Sequence, residues 1–92
     1  MTMVRCEITE GPREGYKTVG VPSAAGHMEY LAIEERFLEK DNGAYLLPVD
    51  VVGKDPRYGT LLVQLPFEAD SGANRVWVRP LHIVIEPREV PA

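Results

Sequence analysis

Ser71, Asp70 and His82 are the residues of this sequence whose types could support nucleophilic chemistry. A serine hydroxyl attacks a carbonyl only when a base takes its proton; His82 is the nearest imidazole downstream, and Asp70 or Glu68 could orient it. They lie in or just beyond Glu68-Ala69-Asp70-Ser71-Gly72-Ala73-Asn74-Arg75, the most polar loop of the chain. The glycine spacing of a strained nucleophile turn is missing around Ser71. The same side chains also suit a purely structural loop, in which Asp70, Ser71 and Asn74 bond the local backbone and Gly72 takes a positive φ. A small hydrolase or transferase using the 68–75 loop with His82 is therefore the alternative reading, and a structural loop the preferred one.

Metal and cofactor chemistry has less support. The single Cys6 excludes an intramolecular disulfide and any site needing two thiolates. It falls in a Val4-Cys6-Ile8 alternation and reads as a small apolar side chain. His27 and His82 have no second His or Cys at ligand spacing and read as turn or surface residues. The oxygens of 70–74 lack the further carboxylates and distal Glu of a calcium loop. Glu34 and Glu35 are adjacent, so their side chains diverge. Without a G-x-G-x-x-G or Walker arrangement, no nucleotide cofactor is expected.

A different chemistry stands out in Arg75-Val76-Trp77-Val78-Arg79. On a strand, Val76 and Val78 share the buried face, which turns Trp77 outward between two arginines. Trp and Arg dominate binding hot spots, and a guanidinium can stack on an indole. If the neighbouring strand pairs in register, His82 and Val84 share that outer face. The leading functional expectation is a non-enzymatic interaction module, self-associating or contacting another protein through Arg75, Trp77, Arg79 and His82. A third reading is a single-stranded nucleic-acid binder that stacks bases on Trp77 and Tyr58, with Arg57, Arg75 and Arg79 on the phosphates. Net charge −4 disfavours a general phosphate-binding surface.

The elements that must position these residues are short. Eight Gly and eight Pro are spread through 92 residues and cut the chain into short segments. Val and Ile dominate the aliphatic residues, which suits half-buried strands. Alternation predicts strands over 3–9, 16–21, 44–52, 60–65, 76–78 and 83–85, with 44–52 and 60–65 joined as a hairpin across Asp55-Pro56-Arg57-Tyr58-Gly59. The stretch 28–40 is ambiguous. As a helix it gathers Tyr30, Ile33 and Phe37 on one arc but places Glu34 inside it; as a strand, 29–33 pairs with 17–21 across Ser23-Ala24-Ala25-Gly26. Asn42-Gly43 serves either as a helix stop or as a hairpin turn.

The preferred fold is all-β: a small barrel or bent antiparallel sheet of five to six short strands, with one helical turn near 34–39. The alternative is α+β, with a helix at about 27–40 packed on an antiparallel sheet. The order of strands, with Val78-Arg79-Pro80-Leu81 before the last one, resembles an SH3-type small barrel. The aromatic and acidic signature of peptide-binding SH3 domains is absent, so the resemblance implies no proline-rich ligand. Residues 1–87 are expected to form one domain and 88–92 a frayed tail. Charges within the first seven residues argue against a signal peptide, and apolar runs of at most four residues argue against a membrane span. A reducing, cytoplasmic setting is expected. So small a core points to association into homo-oligomers.

Overall fold

The computed structural model describes residues 1–85. It is all-β, an antiparallel sheet nearly closed into a barrel. The strands are β1 (Thr2–Glu10), β2 (Tyr16–Pro22), β3 (Met28–Glu34), β4 (Glu39–Asp41), β5 (Ala44–Lys54), β6 (Leu61–Gln64), β7 (Arg75–Val78) and β8 (Ile83–Ile85). Two single 3₁₀ turns, Glu35–Phe37 and Pro80–His82, precede β4 and β8. No helix among the described residues is long and apolar enough to cross a membrane. The expected boundary at 87 and the tail 88–92 lie outside the described residues.

The main path through the sheet runs β3-β2-β1-β5-β6-β7. β1 is its pivot. Residues 2–6 pair with β5 along one edge, while the opposite edge takes β8 at residues 2–4 and then β2 at residues 7–10. The two ends of the path are drawn together by backbone bonds. Ala24 N donates to Trp77 O at 2.7 Å, and Asp70 N donates to Tyr30 O at 2.7 Å. Carbonyls of β3 and β7 that would otherwise face water as open edges are used to close the barrel.

Alternation explains the core. Val19 and Val21 of β2, Leu31 and Ile33 of β3, Val63 of β6, and Val76 and Val78 of β7 all point inward and meet Val4 and Leu47. Each is 5% exposed or less. The α+β alternative is overturned over 28–40. Leu31 and Ile33 are buried while Tyr30 and Ala32 face out, and all seven residues of β3 pair with β2, from Tyr16↔Glu34 to Pro22↔Met28. As a strand, the segment buries its two aliphatic residues and leaves Glu34 at the rim, which a helix could not do. Helix propensity is a weak prior beside a paired edge. The helical turn near 34–39 survives as Glu35–Phe37.

The strand count exceeds the expected five to six. β3 and β4 supply the excess, both from the ambiguous stretch and the residues just after it. Asn42 and Gly43 adopt φ of 49° and 83°, the paired positive values of a two-residue hairpin turn, so Asn42-Gly43 joins β4 to β5 rather than stopping a helix.

Candidate functional site

Arg75, Trp77 and Arg79 all face out from β7 and its C-terminal end, while Val76 and Val78 are buried. Trp77 is 42% exposed. Its partner across the ladder is Leu62, and the far edge of its ring reaches over Gly53 on β5. Gly53 follows a bulge between Val51 and Gly53, and a Cβ there would stand 3.3 Å from Leu62 Cβ. The bare glycine therefore leaves room for Leu62 and for the edge of the indole.

Trp77 is not alone on this surface. With Ala24, Ala25, Asp55, Tyr58, Thr60, Arg79, Pro80 and Leu81 it lines an open groove of about 610 Å³. Three stretches remote in sequence build it: the β2–β3 turn, the β5–β6 connection, and β7 with the 3₁₀ turn after it. Tyr58 and Leu81 are 70% and 63% exposed, so the groove presents aromatic and aliphatic side chains to solvent. The connection that carries Tyr58 is stiffened by its own bonds. Asp55 N donates to Thr60 O, Gly59 N donates to Asp55 O, and Arg57 N donates to Asp55 Oδ1 at 2.8 Å. The Arg57 guanidinium lies over the Tyr58 ring, 5.8 Å from its centroid.

Acidic residues outnumber Lys and Arg by 14 to 10, yet among the described residues no carboxylate pairs with Arg57, Arg75 or Arg79. Arg75 Nε donates to the neutral Gln64 Oε1 at 3.2 Å.

The opposite wall is fixed by a polar chain that sequence reasoning missed. Ser71 Oγ donates to Glu29 Oε1 at 2.6 Å, His27 Nε2 lies 2.9 Å from Glu29 Oε2, and Ser23 Oγ lies 3.2 Å from His27 Nδ1. The Glu29 side chain is only 12% exposed. The hydrogen bond from Ser71, followed by that from His27, holds its carboxyl below the ordinary value, against the opposing effect of burial. This chain ties the β2–β3 turn, and with it Ala24 and Ala25, to the 68–75 loop. The available signal was His27-Met28-Glu29, whose first and third residues share one face of a strand; the Ser71 partner is 42 residues away.

Ser71 thus meets Glu29, and through it His27. Among the described residues no hydrogen bond joins Ser71 or Asp70 to His82. Asp70 contributes its backbone N–H to the barrel closure, and Ala73 N donates to Ser71 Oγ at 3.3 Å. His82 is also away from Trp77. β8 pairs with β1 rather than β7, and His82 lines a separate small cleft with Arg5, Cys6, Glu7, Pro22 and Met28. Cys6 Sγ donates to Tyr45 O at 3.5 Å, and burial pushes its thiol up to about 12, which removes the thiolate at neutral pH. No protein-family model matches the chain, and neither a curated protein nor a solved structure matches it.

Proposed function

We propose that this protein is a non-enzymatic interaction module that contacts a protein partner, or a second copy of itself, through the groove bearing Trp77, Tyr58, Arg79 and Leu81. The observation that carries the reading is the convergence of three separate segments on one open, rigidly framed apolar groove. Aromatic and arginine side chains on such a frame lose little conformational entropy when a partner arrives. The β5-β6-β7 meander, the 3₁₀ turn and the return of β8 to β1 support an SH3-type barrel, and the single Cys6 fits a cytoplasmic setting.

Random peptides displayed on phage and panned over wild type and Trp77→Ala test the reading, together with light scattering of both proteins. Enrichment on wild type alone, or an oligomer lost in Trp77→Ala, supports it. Equal behaviour of the two proteins in both measurements removes it. A second reading, single-stranded nucleic acid, is favoured by one fact: Tyr58 and Trp77 line the same groove as Arg79. Quenching of Trp77 emission by an oligonucleotide at low salt is its test.

A further inference from the structure

We propose that the groove takes an extended segment of another protein in which apolar or aromatic residues alternate with carboxylates. The inference rests on the protein-binding reading above and adds the chemistry of the occupant. The floor supplies the apolar half: Trp77, Pro80 and Leu81 present no charge, and the short side chains of Ala24 and Ala25 leave room along the far wall.

The arginines supply the other half. Arg79 lines the groove, Arg75 lies two residues back on the same outward face of β7, and Arg57 sits over the Tyr58 ring. Among the described residues no carboxylate pairs with these guanidinium groups, so no ion pair cancels their charge. Each retains donors suited to the two oxygens of a carboxylate. Asp55 is the one carboxylate among the groove's lining residues, and its Oδ1 already accepts Arg57 N. A basic segment would therefore meet Arg79 in the groove, with Arg57 over Tyr58 and Arg75 further back on β7, against the single carboxylate of Asp55. An acidic segment meets the same arginines, none of which pairs with a carboxylate among the described residues.

The described part of a second copy offers no such segment, and the proposed source is another protein. The described acidic residues of this chain stand on strands already paired in the barrel or in short loops and turns. None belongs to a stretch that is extended, unpaired and apolar enough to fill the groove.

The test is fluorescence anisotropy of the full chain with three labelled peptides of about a dozen residues and with oligo-dT. The first peptide alternates Leu or Phe with Asp or Glu; the second carries Asn and Gln, and the third Lys, at the acidic positions. The acidic peptide is expected to bind about tenfold more tightly than the amide peptide at low salt, with the gap closing as salt rises. Arg75→Gln and Arg79→Gln should each weaken the acidic peptide several-fold and leave the amide peptide unchanged, and circular dichroism checks that both variants fold. Equal binding of the acidic and amide peptides, or preference for the Lys peptide, overturns the inference while the protein-binding reading stands. So does an oligomer that dissolves in Trp77→Ala and refuses the acidic peptide, since that puts a second copy in the groove. Binding of oligo-dT alone overturns both in favour of nucleic acid, and a monomer that binds nothing overturns both outright.

Discussion

Trp77 is where the single residue matters most. It lies on a face whose other exposed groups, Tyr58 and Leu81, are brought beside it by the fold. Trp77→Ala and Tyr58→Ala are each expected to cost about 1–3 kcal/mol of partner binding. Tyr58→Ala should leave the midpoint of urea unfolding nearly unchanged, because its side chain is mostly exposed, whereas Trp77→Ala should also lower it, because the indole covers Leu62 and Gly53. Calorimetric titration beside a denaturation curve checks the separation. Cys6 makes the opposite case. With its thiol pushed up to about 12, alkylation by iodoacetamide at neutral pH should be far slower than for a free thiol and should accelerate on unfolding. The outward Trp77 and its flanking arginines were legible in the sequence because a strand's period of two needs only neighbours to be read. The groove was legible only in part. Tyr58 was in view as an aromatic, but Ala24, Ala25 and Leu81 carry no signal of their own, and they become site residues only when β3 closes towards β7.

The elements divide in the same way. Segments with plain alternation and turn residues at both ends, such as 16–21 and 60–65, could be placed from sequence. Over 28–40, good helix formers cover a strand, and the pairing that decides the matter comes from β2. Turn chemistry left the same trace: Asn42-Gly43 fits both outcomes until the positive φ of both residues shows the hairpin. Asn42→Val puts a β-branched residue in that left-handed region and should destabilise the protein by about 1–2 kcal/mol. A shift in the urea midpoint at constant slope would measure this. β4 itself is entirely exposed and charged, Glu39-Lys40-Asp41, which protects a short edge from adding further strands. Gly53→Val would crowd Leu62 and displace the indole above it, so Trp77 emission should change together with partner binding.

At the scale of the whole molecule, one continuous core and one closure hold the barrel. Leu47→Ala or Leu31→Ala, both at fully buried positions, should cost about 3 kcal/mol each, a large share of the stability of so small a domain. The closure adds a pH dependence. Because Glu29 has its carboxyl lowered in the fold, its contribution is present above the ordinary value of 4.5 and is lost as pH falls through the lowered one. Glu29→Gln should therefore be less stable than wild type at neutral pH, with the difference vanishing in acid, as thermal melts from pH 7 down to about pH 2 would show. The position of β8 has its own consequence during synthesis. Residues 2–4 of β1 are made about eighty residues before Ile83–Ile85, their β8 partner. Until then that stretch of β1 edge is open, and the nascent chain depends on what shields it: the barrel is completed by nearly the last described residues to be translated.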